Sequence, residues 1–138
     1  MKKLTPVIIV EEIEPCLTFW VQRLGFRKTV EVPEADKAGF VILVKDTVEI
    51  MYQTRAGVAK DVGANSSETV SPLTGSISPG RDRVSLYLEV EKLDSVIEAL
   101  KGIEVILPER KTFYGAREFG VREPGGTVVL FAEFPKSE

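Results

Sequence analysis

Val10-Glu11-Glu12-Ile13-Glu14 returns later in the chain as Val90-Glu91-Lys92-Leu93-Asp94, an offset of 80 residues (90 minus 10). Each copy follows an apolar stretch, residues 7–10 and 84–90, and precedes a helical pattern. A segment that recurs in the same local setting indicates two copies of one structural unit. We therefore expect two tandem modules, each of which begins with a strand and continues into a helix.

Apolar residues with helical spacing follow each copy of the repeat. They are Ile13, Leu17, Trp20 and Leu24 in the first module, and Leu93, Val96, Ile97 and Leu100 in the second. Pro15 lies near the start of the first pattern, and Gly25 and Gly102 follow the two patterns as stop signals. The spacing predicts one amphipathic helix per module, with Trp20 in the core.

Three strands are predicted after each helix, from short apolar stretches bounded by turn residues. They cover residues 26–32, 39–44 and 47–53 in the first module, and residues 105–107, 118–122 and 127–133 in the second. Lys45-Asp46 and Pro124-Gly125-Gly126 are the predicted hairpin turns, and residues 109–114 are predicted to be irregular. The order βαβββ, taken twice, predicts an α+β fold.

Residues 1–138 are predicted to form a single domain, with the first module at about 4–54 and the second at about 84–134. The intervening residues 55–83 are rich in Gly, Ser, Thr and Pro. An irregular segment of roughly 30 residues is uncommon inside a compact domain, and is usually either functional or a linker. Both readings, a lid over a pocket and a plain linker, stay open.

Composition excludes several classes of function. The chain has no histidine, so Ser-His-Asp and Cys-His catalysis and histidine-based metal sites are ruled out. Its one cysteine, Cys16, lies in a helical pattern and is predicted to be a buried apolar residue. A net charge of −3 without a basic cluster argues against nucleic acid. Without a membrane-spanning stretch, we expect no membrane partner and a cytoplasmic location.

Two segments resemble signatures of the glyoxalase/bleomycin resistance protein/dioxygenase superfamily, also called the vicinal oxygen chelate superfamily. One is Phe19-Trp20 followed by Leu24-Gly25-Phe26, and the other is YGAREFGVREPGG, which covers residues 114–126. The resemblance spans nearly the whole chain outside residues 55–83. It implies that the mixed sheets of the two modules curl into a concave, half-barrel pocket, and that two chains pair as a homodimer. The bleomycin-resistance-like subgroup, which uses no metal, is the nearest.

The resemblance also locates the positions at which metal enzymes of this superfamily carry their ligands. They fall on Thr5, Glu49, Ser85 and Leu130, of which only Glu49 is a strong ligand for a divalent ion. We therefore expect neither a metal nor another cofactor.

Strand alternation separates a core face from a pocket face. Val48, Ile50 and Tyr52 form the apolar face of one strand, and Leu86 and Leu88 that of another. Glu49, Met51 and Gln53 then share the other face of the first strand, as Ser85, Tyr87 and Glu89 do in the second. The predicted ligand-binding residues are Glu49, Met51, Gln53, Ser85, Tyr87, Phe113, Tyr114 and Arg117. Arg117 is predicted either to bind an anionic group or to pair with Glu118; no catalytic residue is assigned.

Three functions are compatible with this pattern. The first is a metal-free protein that sequesters a small aromatic or cationic compound between aromatic side chains. The alternative is an enzyme: either a glyoxalase or dioxygenase with a rearranged metal site of Glu49, Glu89 and Glu133, or a metal-free lyase or isomerase. The latter would use Glu49 as base and Tyr87 or Tyr114 as acid. The third is a structural or regulatory dimer whose pocket is vestigial.

Overall fold

Each half of the chain folds as a βαβββ unit in the computed structural model, which describes residues 1–61 and 84–136. The chain divides into two units, one on each side of the segment that is not described. The predicted α+β fold with two tandem βαβββ modules is confirmed. Most of the predicted lid or linker, residues 62–83, lies outside the described residues, and the single-domain assignment stays a prediction.

Within residues 1–61, the first unit forms a four-stranded mixed sheet with a helix after its first strand and another after its last. Its elements are β1 (Val7–Val10), α1 (Glu14–Leu17), β2 (Arg27–Glu34), β3 (Lys37–Lys45), β4 (Val48–Thr54) and α2 (Arg55–Asp61). The strand order is β1-β4-β3-β2, with β1 parallel to β4 and the other pairs antiparallel. The helix after β1 is what allows β1 and β4 to lie parallel.

The second unit repeats this topology. Its elements are β5 (Leu86–Glu89), α3 (Leu93–Ala99), β6 (Val105–Lys111), β7 (Arg117–Arg122) and β8 (Val128–Glu133). The strand order is β5-β8-β7-β6, again with one parallel pair, β5 with β8, at one side. Among residues 1–61 and 84–136, no helix is long and apolar enough to cross a membrane.

Trp20 and Tyr52 form the centre of the first core, and both are fully buried. The indole Nε1 of Trp20 donates a hydrogen bond to the Tyr52 hydroxyl at 2.8 Å, which gives each buried polar group a partner. Phe19 and Phe26 each approach the Trp20 ring edge-on, at 4.9 Å between ring centroids. The predictions that Trp20 and Tyr52 belong to the core, and that Cys16 is buried, are confirmed.

The helix after β1 does not keep one geometry along its length. α1 continues as a π-helical segment, Thr18–Arg23, in which the Leu24 N–H donates to the Phe19 carbonyl five residues back at 3.1 Å. Both Phe19 and Trp20, which lie in this wider turn, are fully buried in the core. Gly25 ends the segment with φ +78°, as the sequence predicts.

The edge strands β2 and β6 are longer than predicted, and both contain a proline. β6 extends to Lys111, so the prediction that residues 109–114 are irregular is wrong for its first three residues. The pairing register shifts between Leu107 and Arg110, where Pro108 lies, and between Val32 and Pro33. A proline cannot donate a ladder hydrogen bond, but an edge strand tolerates it at a bulge and then continues.

α2 occupies the start of the stretch that was predicted to be a linker or lid, residues 55–83, so Arg55–Asp61 is helical rather than irregular, and the linker or lid role stays a prediction. The Thr54 hydroxyl accepts a hydrogen bond from the Gly57 N–H at 2.9 Å, which is the geometry of an N-cap. Val58 is buried at 2% exposure. Neither the cap nor the burial of Val58 produces a long apolar stripe in the sequence.

The second core lies between α3 and one face of its sheet. Leu93 and Leu100 of the helix region, Phe119 of β7 and Phe131 of β8 are buried there. Glu133 at the end of β8 accepts a hydrogen bond from the Leu93 N–H at 2.8 Å. A carboxylate at this position satisfies a free N–H at the start of α3 and favours its dipole.

Candidate functional site

Each sheet has one face covered by helix and one face open. On the open face of the first sheet, two rows of paired residues cross all four strands. The rows are Val7–Met51–Ile42–Val30 and Ile9–Gln53–Phe40–Val32. Ile50 and Tyr52 are buried on the other face of β4, while Glu49, Met51 and Gln53 are partly exposed. The predicted alternation along β4 is therefore confirmed.

Glu49 lies on this open face and is held by the N-terminal segment. Lys3 Nζ lies 2.8 Å from its Oε2, and Thr5 Oγ1 donates to its Oε1 at 3.3 Å. The hydrogen bond from Lys3 is the main reason that the pKa of Glu49 lies below its usual value, and partial burial opposes that shift. With 22% of its side chain exposed, Glu49 is partly exposed and paired rather than buried alone.

The described residues do not fit the metal site that the resemblance implies. Thr5 contributes only a hydroxyl beside Glu49, and the Lys3 ammonium already neutralises that carboxylate. Position 130 is a leucine on the open face of the second sheet. Within residues 1–61 and 84–136, no three cysteine, aspartate or glutamate side chains are grouped so that they could hold a metal ion.

The rearranged metal site is also inconsistent with strand geometry. Glu89 pairs in register with Ala132, so the next residue of β8, Glu133, points to the opposite face of the second sheet. Glu133 instead caps α3 and lies 3.5 Å from Arg117. Glu89 and Glu133 therefore cannot ligate one ion, and the predicted set of Glu49, Glu89 and Glu133 is corrected for this pair.

Two rows of paired residues also cross the open face of the second sheet. They are Tyr87–Leu130–Gly120–Leu107 and Glu89–Ala132–Glu118–Arg110. Tyr87 and Glu89 share this face, opposite Leu86 and Leu88, as the alternation predicts. Glu118 lies near the middle of the face and is buried, with only 5% of its side chain exposed.

Glu118 accepts four hydrogen bonds from three side chains. The hydroxyls of Tyr87 and Tyr114 donate to its Oε2 at 2.8 and 3.0 Å. Arg110 donates to its Oε1 twice, from Nε at 3.1 Å and from Nη2 at 2.9 Å. A buried carboxylate is stable when it is paired and hydrogen-bonded in this way. Two of the predicted ligand-binding residues, Tyr87 and Tyr114, are thus brought together on one anion.

The network changes the acidity of its members. Hydrogen bonding from Tyr87 is the largest effect on Glu118 and lowers the pKa of its carboxyl group, with Arg110 and Tyr114 acting in the same direction against the effect of burial. The pKa of the Tyr87 phenol is strongly raised, first by burial and then by its bond to Glu118. At neutral pH Glu118 is therefore a carboxylate and Tyr87 a neutral phenol.

Aromatic side chains border Glu118 and remain accessible. Tyr87 and Tyr114 are each 49% exposed, and Phe113 is almost fully exposed. The Phe113 ring meets Tyr114 edge-on at 4.9 Å between centroids, and Phe134 stacks on Tyr114 at 6.2 Å. A hydrogen bond from Gly115 N–H to the Thr112 carbonyl at 3.0 Å closes the turn that carries Phe113 and Tyr114. We name Tyr87, Phe113, Tyr114 and Phe134 the aromatic border.

Arg117, another predicted ligand-binding residue, does not join this cluster. It precedes Glu118 on β7 and therefore points to the helix-covered face. Its guanidinium pairs with Asp94 at 2.7 Å and with Glu109, and lies near Glu133. Arg117 thus forms an ion pair, but its partners are Asp94 and Glu109 rather than Glu118, because adjacent strand residues point to opposite faces. Ser85 is exposed just before β5.

Gly120 lies in the floor of this face, between two leucines. A Cβ atom at this position would approach Leu130 Cδ2 to 2.5 Å and Leu107 Cβ to 3.0 Å. The leucines fill the space that a side chain of residue 120 would need, so the floor beside Glu118 is apolar and closely packed.

A separate small cavity in the first unit is acidic. Its volume is about 120 Å³, well below the roughly 300 Å³ or more of a typical ligand pocket. Its lining residues are Glu11, Glu12, Glu14, Glu34, Lys37, Ala38, Thr54 and Ala56. Lys37 binds Glu12 at 2.6 Å, and the Ala38 N–H donates to Glu14 at 3.0 Å. Internal partners occupy these carboxylates, so we place the candidate site around Glu118.

Comparison with solved structures shows the fold of the superfamily that the sequence resembles. A glyoxalase/bleomycin resistance protein/dioxygenase from Nocardioides has a TM-score of 0.71 and 14% identity, over 100% of this chain and 87% of that one. Lactoylglutathione lyase from Agrobacterium tumefaciens has a TM-score of 0.66 and 13% identity, over 96% of this chain and 94% of that one. A bleomycin resistance determinant encoded on the transposon Tn5 has a TM-score of 0.65 and 14% identity, over 99% of this chain and 100% of that one. No family model and no curated protein sequence matches this chain.

Proposed function

We propose that this chain, which has the fold of the glyoxalase/bleomycin resistance/dioxygenase proteins, binds a small aromatic or cationic organic compound without the help of a metal or another cofactor. The observation that carries the proposal is the buried carboxylate of Glu118 beneath the partly exposed aromatic border. A few convergent polar groups within apolar and aromatic walls are typical of small-molecule sites.

Binding accounts for the chemistry of the cluster better than acid–base catalysis does. A general base works best when its pKa lies near the working pH, and the same holds for a general acid. The pKa values of Glu49 and Glu118 are lowered, and that of Tyr87 is raised, so each group is moved away from neutrality. These directions favour a fixed charge pattern that recognises a ligand over a set of groups that exchange protons.

The donor set likewise favours binding over metal chemistry. Glu49 is neutralised by Lys3, and Glu118 by Arg110, so each of the two carboxylates already has a cationic partner. A divalent ion at either position would have to displace that partner and still find further ligands.

The proposal is tested by a thermal-shift screen followed by native mass spectrometry. The compounds are divalent metals, bleomycin-type glycopeptides, which the neighbour on Tn5 suggests, and small aromatic amines and acids. We expect aromatic compounds to raise the melting temperature of the wild-type protein, and Glu118→Gln to abolish this shift. Glu98→Gln, an exposed glutamate on α3, is the matched control and should keep the full shift.

Either of two results would refute the proposal. One is stoichiometric binding of Mn, Fe, Ni or Zn that Glu49→Ala abolishes, which would indicate a rearranged metalloenzyme. The other is a protein that is indifferent to every compound, which would leave the vestigial pocket as the better explanation.

The native mass spectrum also tests the oligomeric state. We propose a homodimer that acts in the cytoplasm, which rests on the resemblance and on the composition. Glu49, Met51, Gln53 and Ser85 stay predicted ligand-binding residues. Alanine variants of Glu49, Met51 and Gln53 in the same screen would show whether the first unit contributes to binding, and Ser85→Ala would test the residue before β5.

A further inference from the structure

Arg110 and Glu118 form an ion pair whose two members differ greatly in burial. The side chain of Arg110 is 58% exposed, whereas that of Glu118 is 5% exposed. Water can therefore solvate the guanidinium if it leaves, but it cannot reach the carboxylate in the same way. The carboxylate needs a cationic partner more than the guanidinium needs an anionic one.

Arg110 is also attached to a part of the sheet that can release it. It lies on β6, an edge strand, immediately after the register shift between Leu107 and Arg110. Its rotation into solvent breaks two hydrogen bonds to Glu118 and leaves those from Tyr87 and Tyr114 in place. The anion would then be open on its Oε1 side and still fixed on its Oε2 side.

The aromatic border suits a cation that replaces Arg110. Ammonium and guanidinium groups are attracted to the faces of aromatic rings, and more so where water is excluded. Tyr87 and Tyr114 donate their hydroxyls to the same carboxylate while about half of each side chain stays exposed. Phe113 and Phe134 extend this surface on both sides of Tyr114. One ligand could thus place its charge on Glu118 and an aromatic ring on the border.

We propose that the open face of the second unit is a site for an aromatic monocation, a primary amine or guanidine, whose charged group exchanges with Arg110 on Oε1 of Glu118. This inference rests on the proposed small-molecule binding and names its ligand class. Glu89 is the next carboxylate along the same row, two strands away and thus roughly 10 Å distant. The site therefore selects a ligand that carries one positive charge.

The test compares benzylguanidine with benzylurea, which has nearly the same shape but no charge, by isothermal titration calorimetry on the full chain. We expect the wild-type protein to bind benzylguanidine at least ten-fold more tightly than benzylurea. Arg110→Gln removes the internal competitor and is expected to strengthen benzylguanidine binding by a further five- to ten-fold. Lys111→Gln is the matched control, since it removes one positive charge from the same strand but on the opposite face, and it should leave both affinities unchanged.

Equal binding of benzylurea and benzylguanidine would overturn the inference, as would an Arg110→Gln variant that binds benzylguanidine no more tightly than the wild-type protein does. Neither result would touch the proposed function, which fails only when the wide screen gives no ligand or a metal.

A second measurement covers the case in which Arg110→Gln is poorly stable. Millimolar methylguanidinium should then restore the thermal midpoint of the variant, while methylurea should not, and neither should alter the wild-type midpoint. If methylguanidinium fails to restore the variant, no free cation takes the place of Arg110, and the inference is wrong.

Discussion

Tyr52→Phe is expected to destabilise the first unit by about 2 kcal/mol, although it removes a single oxygen atom. The substitution keeps the ring but takes away the acceptor of the Trp20 indole N–H, in a bond of 2.8 Å between two fully buried side chains. A hydrogen bond contributes about 1 kcal/mol net, and a buried donor left without a partner costs about 1–3 kcal/mol. With a urea m-value of about 2 kcal/mol/M, the unfolding midpoint falls by about 1 M.

The assay uses the chain's single tryptophan, Trp20, whose fluorescence reports the unfolding of the first unit directly. A double-mutant cycle with Trp20→Phe, followed by far-UV circular dichroism, isolates the contribution of the bond from the loss of ring volume. We expect Trp20→Phe/Tyr52→Phe to be about 1 kcal/mol more stable than the sum of the single changes predicts. Strict additivity, or a midpoint shift below about 0.3 M for Tyr52→Phe, would show that the bond does not stabilise the core.

Three further predictions concern other parts of the chain. Gly120→Ala should destabilise the second unit by about 1–3 kcal/mol in urea unfolding, because the new Cβ atom would overlap Leu130 and Leu107. The double variant Gly120→Ala/Leu130→Ala should recover part of that stability. A double variant that recovers none of it would contradict the overlap. The pKa of Glu118 is lower in the folded than in the unfolded protein, so its contribution to stability is complete above about pH 4.3 and is lost as the pH falls through its folded pKa. Glu118→Gln should therefore flatten the decline in midpoint between pH 5 and 3, and an unchanged slope would disprove this. Cys16 should not react with Ellman's reagent in the folded protein and should release one equivalent in 6 M guanidinium chloride; rapid reaction of the folded protein would contradict its burial.

Local patterns were sufficient to predict most of the fold. β1 has its predicted bounds, and the helix stops at Gly25 and Gly102 hold, because spacing and glycine positions act within a few residues. The sequence predicts β6 to end at residue 107, because proline is a strong strand breaker in the interior of a sheet, whereas the strand continues to Lys111. Whether a strand lies at an edge, where Pro108 is tolerated, depends on the topology and cannot be derived from the strand itself.

The candidate site was predicted in part, and its central residue was missed. Strand alternation and the irregular segment point to Tyr87 and Tyr114, but they do not mark Glu118, to which both donate, as a ligand-binding residue. The alternation of apolar and polar residues along β7 indicates on which face of the sheet Glu118 lies. Phe119 and Val121 are apolar and must face the core, which places Glu118 on the open face and Arg117 on the helix-covered one. The bonds themselves join residues 31 positions apart in the case of Tyr87, and no local pattern specifies them.

The prolines of β2 and β6 affect more than the length of these strands. Each lies on the outer strand of its sheet, where unpaired N–H and C=O groups could recruit a strand from another molecule. Pro33 and Pro108 lack the N–H that other strand residues carry, and each lies at a shift of the pairing register. Prolines and bulges on edge strands are features that hinder edge-to-edge pairing of sheets, and both modules carry them on their outer strand.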